Sequence, residues 1–298
     1  MTGRRYRVEH RTKYSYSGEV GNSYGRAYLT PRDLPGQRLL AHEIRIDPTP
    51  SDRSVGADVY GNITSYFHVT TEHRALTVVG ESVVEVDVPV RDDAGPAAEP
   101  WERARPTGAN GPFAVEFALD LHPEEITAEI VAYAAESLRP GRPLLDAVAE
   151  LNTRIYTDFA YRSGATTVST RVADVFAARA GVCQDFARLA VACLRSHGLA
   201  ARYVSGYLAT DPPPGKERMV GADATHAWAA VWAPGEGPDR SGRWIDLDPT
   251  NDQLGDERYI TVAWGRDYAD VPPLRGIIYT DAKDSTITVS VDVTEVDA

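Results

Sequence analysis

The sequence predicts an α+β protein, with an all-β, sandwich-like N-terminal domain followed by helices that pack on an antiparallel sheet. Apolar residues alternate with a period of two over the first 90 residues, change to the helical period beyond residue 112, and alternate again after residue 200. The chain has 298 residues, of which 43% are hydrophobic and 25% charged. This composition is typical of a globular protein of about two domains.

The N-terminal domain is predicted over residues 1–90. Its strand-like runs are rich in Val, Ile, Thr and Tyr, and clusters of Pro, Gly and Asp separate them. These runs cover residues 5–16, 40–47, 62–70 and 75–89. Residues 91–112 are dominated by Pro, Gly, Ala and charged side chains, which predicts a linker before a second domain at 113–298.

The second domain is predicted to contain four helices and then several strands. The third helix is expected to be capped by Thr170 and ended by Gly181, and the fourth carries an apolar stripe along one face. The four helices cover residues 123–138, 143–159, 170–181 and 183–198. The strand patterns that follow cover residues 201–210, 226–233 and 243–250.

Charge and motif content exclude several classes of function. The net charge of −12 falls entirely in residues 91–298, and such an acidic surface disfavours nucleic acid and anionic membranes as partners. No stretch has the apolar length of a secretory signal or a membrane span, so we expect a soluble, cytoplasmic protein. The sequence has neither an HExxH or CxxC motif nor a Gly-rich phosphate loop, and we therefore expect no metal or nucleotide cofactor.

Two cysteines, Cys183 and Cys193, lie on the same predicted helix. Two are too few for a disulfide framework or a four-cysteine zinc site. Cys193 falls on the apolar stripe, where a free cysteine behaves as a small buried hydrophobe. Cys183 lies at the first turn, where unpaired N–H groups and the helix dipole stabilise a thiolate. The sequence therefore predicts Cys183 as a candidate nucleophile, although a small residue fitting a tight turn would also explain it.

A thiol nucleophile needs a base, and most of the seven histidines are poor candidates. His197 lies at the other end of the Cys183 helix, roughly 21 Å away, which excludes it as a partner. Four histidines fall in the predicted N-terminal β region and one precedes a helix: His10, His42, His68, His73 and His122. His226 is the remaining candidate, because it begins a strand.

The predicted hairpin of strands 226–233 and 243–250 brings His226 close to an acidic residue. If residues 233 and 243 pair at its closed end, His226 lies opposite Thr250 and diagonal to Asp248, and all three share a face. Asp246 has the same parity but lies one pair farther away. The sequence therefore favours a Cys183, His226 and Asp248 arrangement, which is a recurring geometry for acyl transfer.

Four ordered blocks resemble the bacterial transglutaminase-like family of papain-type thiol enzymes. The blocks are GVCQDFA at 181–187, ARYVSGY at 201–207, HAW at 226–228 and WIDLDPTN at 244–251. The opening from Tyr6 to Pro31 with YGN at 60–62, and GRDYADVPPLRG at 265–276, are similar to the family as well. The resemblance implies a transglutaminase-like core in which Cys183 is the nucleophile, His226 the base and Asp248 the acid.

The resemblance implies an enzyme that acts on peptide or protein substrates, without a cofactor, through a thioester intermediate. Members include transglutaminases, which join glutamine side chains to amines, and also peptidases and related amide hydrolases. We expect hydrolysis of a peptide or amide; the alternatives are glutamine cross-linking and a non-catalytic scaffold that keeps the fold. The Cys183 N–H is a candidate oxyanion donor, and Tyr161 is a candidate for the second.

Overall fold

The computed structural model of the chain describes residues 3–88, 95–107, 111–210, 225–235 and 242–297. The predicted α+β class is confirmed, and the described residues form fourteen strands and four α-helices. The strands are β1 (Arg4–Ala27), β2 (Gln37–Asp47), β3 (Asp52–Ala57), β4 (Ile63–Val69), β5 (His73–Val86), β6 (Ala160–Tyr161), β7 (Ala180–Gly181), β8 (Ala201–Leu208), β9 (His226–Ala233), β10 (Arg243–Asp248), β11 (Gln253–Leu254), β12 (Tyr259–Gly265), β13 (Leu274–Thr280) and β14 (Ser285–Glu295). The helices are α1 (Ala128–Ser137), α2 (Leu144–Asp158), α3 (Val172–Ala178) and α4 (Cys183–Arg195).

The first sheet is an antiparallel half-barrel organised around the long strand β1. β1 pairs with β5 and β4 along one edge and with β14 and β13 along the other. Register shifts after Ser15 and Val20 let this strand continue through Gly18 and Gly21, although the sequence pattern predicts its end at residue 16. The N-terminal and C-terminal parts of the chain therefore share one sheet.

This pairing corrects the predicted domain boundaries. The last two strands, β13 and β14, were expected to lie in a domain of residues 113–298, yet both hydrogen-bond to β1. Alternating Val and Ile in residues 285–295 predicts a strand, but that pattern contains no information about which strand it pairs with. The sheet built on β1 therefore includes the strands Leu274–Thr280 and Ser285–Glu295.

The predicted linker is also corrected where the structure describes it. Over residues 95–107 the chain forms short 3₁₀ turns, and Trp101 is 4% exposed within the helical core. The Trp101 backbone N–H donates to the Arg142 carbonyl at 2.9 Å, and its indole N–H donates to the Arg139 carbonyl at 2.9 Å. One buried aromatic side chain thus fixes a segment whose composition resembles a flexible connection. Residues 91–94 and 108–110 lie outside the described residues.

The first and third helices have boundaries that differ from those predicted. The first helix starts at Ala128, with Thr127 as its cap, after a separate 3₁₀ turn at Pro123–Glu125. The third starts at Val172, so Thr170 is not its cap, and it ends at Ala178, followed by Arg179 with a positive φ of 50°. Gly181 instead lies in β7, which pairs with β6. Among the helices in the described ranges, none is long and apolar enough to cross a membrane.

The second sheet has the order β11-β10-β9-β8-β12 and carries α4 on one face. Arg243 pairs with Ala233, which confirms the predicted hairpin register. The small residues Ala229 and Ala233 of β9 pack with Leu189 and Cys193 of α4, so the helix lies close to the sheet. This close packing places the N-terminus of α4 near the start of β9.

The two sheets also share a buried core. The half-barrel contributes residues from β1 and β14, and the second sheet contributes residues from β8 and β12. The buried members include Tyr6, Val8, Val291, Val293, Tyr207, Ile260 and Val262. In addition, the Gln37 side chain accepts a hydrogen bond from the Thr261 N–H at 2.7 Å and donates to its carbonyl at 2.8 Å. The half-barrel is thus attached directly to the sheet that bears the candidate site.

Candidate active site

The first turn of α4 is held by polar contacts that leave Cys183 partly exposed. The Asp185 carboxylate accepts hydrogen bonds from the Val182 N–H at 2.9 Å and from the Thr166 hydroxyl at 2.6 Å. A Cβ at Gly181 would lie only 2.8 Å from the Asp185 side chain, so glycine is required there. An acid at the third helical position commonly caps the turn in this way. Asp185 therefore has the structural role expected from its position.

His226 and Asp248 make the contact that the hairpin register predicts. His226 begins β9 opposite Gly206, and its Nε2 lies 2.7 Å from Asp248 Oδ2. This contact leaves Nδ1 as the ring nitrogen available to a reacting group. Asp246 pairs with Ala230, farther from His226 along β9, as predicted from the register.

Asp248 is fully buried and accepts several hydrogen bonds besides that of His226. The Asn251 amide and the Tyr259 hydroxyl donate to Oδ2 at 2.7 and 2.8 Å, and the Thr250 N–H donates to Oδ1 at 2.9 Å. Burial raises the pKa of Asp248, but His226, Asn251 and Tyr259 outweigh burial and hold that pKa below its usual range. The carboxylate is therefore ionised and fixed in place.

The imidazole of His226 is stabilised in its protonated form. Burial lowers its pKa, but hydrogen bonding and charge interactions with Asp248 and Cys183 outweigh this effect and raise the pKa to about 10. The geometry thus places a protonated imidazole, held by the buried Asp248 carboxylate, beside Cys183 at the start of α4.

Cys183 and His226 open onto the same cavity, which has a volume of about 230 Å³. Gln184, Tyr203 and Ser205 line it on the side of the second sheet. Residues of β1 and β14 in the half-barrel line the opposite side. A substrate at Cys183 would therefore contact both sheets.

The structure places the other sequence candidates away from the reacting atoms or at the edge of the site. Cys193 is completely buried, as predicted, and burial raises its pKa to about 12. The His197 ring contacts Ser196 and lies edge-on to Trp101. Tyr161 is 56% exposed and pairs with Gly181 beside the Cys183 turn. The described residues contain no cluster of side chains suited to holding a metal ion.

Sequence reasoning missed two side chains that contact Asp248, namely Asn251 and Tyr259. Asn251 stands at the end of the block WIDLDPTN, so its nearness to Asp248 in the chain was a usable signal. Tyr259 begins β12, at the opposite edge of the sheet from β10, and no local pattern predicts that it reaches back to Asp248.

Comparisons with known proteins agree with this fold. The bacterial transglutaminase-like N-terminal region matches residues 6–85, and the transglutaminase-like superfamily matches residues 131–249. An uncharacterized protein of Mycobacterium tuberculosis (strain ATCC 25618 / H37Rv) is 62% identical over 293 residues, covering 97% of this chain and 92% of the relative. An uncharacterized protein of Mycobacterium leprae (strain TN) is 32% identical over 302 residues, covering 97% and 98%.

A solved structure described as "a Putative Cysteine Protease from Cytophaga hutchinsonii" superposes with a TM-score of 0.77 at 18% identity. The match covers 100% of this chain and 92% of that chain, and at this identity it shows the fold alone. The fold is papain-like, as these matches support. The chain belongs to the transglutaminase-like superfamily and carries the N-terminal region of its bacterial members.

Proposed function

We propose that the protein is a thiol-dependent amide or peptide hydrolase that works through a thioester on Cys183. The observation that carries this proposal is the arrangement of Cys183 and His226 on one cavity, with His226 Nε2 bonded to the buried Asp248 at 2.7 Å. A nucleophile, a base and an acid that orients the base are the parts that acyl transfer requires.

In the first step, the Cys183 thiolate attacks the carbonyl carbon of an amide. The C–N bond then breaks, and His226 gives its Nδ1 proton to the departing amine. The raised pKa of His226 supports this role, because the imidazole carries that proton at neutral pH. First-turn N–H groups of α4, including that of Cys183, are suited to stabilise the oxyanion. Tyr161 remains the candidate for a second donor.

In the second step, water attacks the thioester carbonyl while the now neutral His226 takes a proton from it. The C–S bond breaks, the acid product leaves, and Cys183 returns as the thiolate. Asp248 keeps the imidazole in one orientation and stabilises its protonated form in both steps. An amine that replaces water would give cross-linking, which is the alternative outcome of the same chemistry.

The test is mass spectrometry of a peptide library incubated with the protein, with and without a primary amine. Backbone cleavage or deamidated side chains support hydrolysis, whereas products joined to the amine show transamidation. The Cys183→Ala variant is the negative control and Cys193→Ala is its match on the same helix. Equal turnover by the wild type and the Cys183→Ala variant would refute the proposal, and no turnover by the wild type on any peptide would favour the scaffold role.

The proposed substrate is a peptide or protein, and we expect neither nucleic acid nor membrane lipid to bind. This expectation rests on the net charge of −12. The proposed compartment is the reducing cytoplasm, which would keep Cys183 as a free thiol. Fractionation of cells that produce the full chain would test the compartment.

A further inference from the structure

The cavity at Cys183 has a second wall, which strands β1 and β14 of the half-barrel provide. Tyr14 pairs with Ile287 and Thr12 pairs with Val289, so these four side chains lie beside one another. All four line the cavity that Cys183 and His226 also line. We call Tyr14, Ile287 and Val289 the apolar wall.

The apolar wall continues the buried interface between the two sheets into the open cavity. On one face of β14, Val291 and Val293 are buried against the second sheet, with 1% and 0% exposure. Ile287 and Val289 follow on the same face but are 57% and 45% exposed. Aliphatic side chains that stay exposed beside a reactive thiol offer contact area to a bound apolar group.

Away from Cys183 and His226, the cavity surface is uncharged where the structure describes it. None of its described lining residues is Asp, Glu, Lys or Arg, although 25% of the whole chain is charged. His10 also lies on this side and hydrogen-bonds to Tyr207 and Thr12. Burial lowers the pKa of His10 to about 4, so its ring is neutral at neutral pH. A charged substrate group bound at this wall, away from His226, would lose its hydration without gaining a partner.

We propose that the apolar wall binds an uncharged, apolar side chain of the acyl donor, next to the carbonyl that Cys183 attacks. This inference rests on the proposed function and adds the substrate class to it. The half-barrel then contributes specificity through Tyr14, Ile287 and Val289, whereas α4 and the second sheet contribute the reacting groups.

Alkylation of Cys183 tests the wall without requiring turnover. The measurement is the rate of labelling by N-benzyl iodoacetamide divided by the rate with iodoacetamide, each normalised to the same reagent's rate with glutathione and followed by mass spectrometry of the intact protein. We expect a ratio above one in the wild type and a reduction of about tenfold in the Ile287→Ser variant, since one apolar contact set discriminates by about this factor. Val289→Ser should act in the same direction.

The matched control is Ile277→Ser. Ile277 lies on β13, which also pairs with β1, and it is 66% exposed, but it does not line the cavity. The inference is overturned if the two isoleucine variants change the ratio equally, or if Ile287→Ser and Val289→Ser both leave it unchanged. Because Ile287→Thr keeps the β-branched shape, it replaces Ile287→Ser if the melting temperature falls. If Ile287→Ser lowers the labelling ratio but the wild type hydrolyses no amide, the proposed function is rejected, whereas binding of an apolar group at the apolar wall is supported.

Discussion

The two ends of helix α4 place the same residue type in opposite environments. Cys183 lies at the first turn, partly exposed, beside His226 and a cavity. Cys193 lies about 15 Å farther along the helix and is completely buried. The difference shows that position on the helix decides whether a thiol faces a cavity or packs in the core.

The surroundings of Cys193 show which physical effect dominates. Arg154 and Arg179 act to lower the pKa of this thiol, yet burial outweighs both and raises the pKa to about 12. Beside the first turn of α4, Asp248 is buried and His226 is partly buried, but they hydrogen-bond to each other and remain ionised. Direct pairing therefore keeps His226 and Asp248 ionised beside the first turn, whereas Arg154 and Arg179 do not outweigh burial at Cys193 in the last turn.

The largest expected effect comes from removing each thiol in turn. Cys183→Ala should lower kcat/KM for amide hydrolysis by at least about 10³-fold, because the covalent step loses its nucleophile. Cys193→Ala should keep kcat/KM within about threefold, since this side chain touches no reacting group. Steady-state kinetics on the same peptide check both variants. A large loss in Cys193→Ala with an unchanged melting temperature would contradict the comparison.

The Asp248→Asn variant tests whether turnover depends on the pairing of Asp248 with His226. Asparagine is close to isosteric with the acid but cannot stabilise the His226 imidazolium, so kcat should fall by about 10²- to 10⁴-fold. The pKa of His226 should fall as well, because Asp248 is the main group that raises it. NMR titration of the ring measures this shift. An unchanged titration together with normal kcat would remove Asp248 from the site.

The hairpin and the helix start could be predicted from sequence because short-range rules determine them. Two strands joined by a Pro- and Gly-rich loop pair in a register that parity restricts, and this places His226 near Asp248. The apolar stripe of α4 likewise separates Cys193 from Cys183. These inferences needed only the periodicity of each element.

The missed features depend on contacts between distant parts of the chain. Tyr259 reaches Asp248 from β12, a strand that pairs with β8 and not with β10. The C-terminal strand β14 pairs with β1 across more than 260 residues, and the apolar wall of the cavity exists only through that pairing. Trp101 fixes a segment that its composition assigns to a linker. No local pattern encodes such partners.

The free energy of unfolding should depend on pH through the ion pair of His226 and Asp248. His226 has a pKa of about 10 in the folded protein against 6.5 for an ordinary histidine. A raised folded-state pKa stabilises the protein fully below pH 6.5, and this contribution is lost as the pH rises through about 10. The free energy of unfolding of the wild type minus that of His226→Gln should therefore decrease from pH 6 to pH 10 in urea. A constant difference would mean that His226 is neutral in the folded protein.

At the buried Cys193, the free energy of unfolding should depend on the polarity of the side chain rather than on the presence of a thiol. Cys193→Ser places a hydroxyl among apolar side chains and should lower the free energy of unfolding by about 1–3 kcal/mol. Cys183→Ser, at a partly exposed position, should cost less. Urea denaturation at pH 6 measures both. Cys193→Val is the control, because it keeps an apolar group of similar size. If both serine variants lose the same free energy of unfolding, the difference in burial between Cys183 and Cys193 has no effect on stability.

The smallest expected effect tests the hydrogen bonds that surround Asp248. Tyr259→Phe removes one donor to Oδ2, while His226 and Asn251 remain. Hydrogen bonds to ionised groups contribute about 1.5–3 kcal/mol, so kcat should fall by roughly tenfold or somewhat more. KM should not change, because Tyr259 does not line the cavity at Cys183.

Tyr133→Phe is the matched control for this change. Its hydroxyl also donates to a carboxylate from a buried ring, at 2.9 Å to Asp158, but neither residue lines the cavity. Loss of the Tyr259 donor should also raise the pKa of Asp248 and move the acidic limb of the kcat profile to higher pH. Equal kinetic effects of the two phenylalanine variants, with no movement of that limb, would show that Tyr259 supports only the fold.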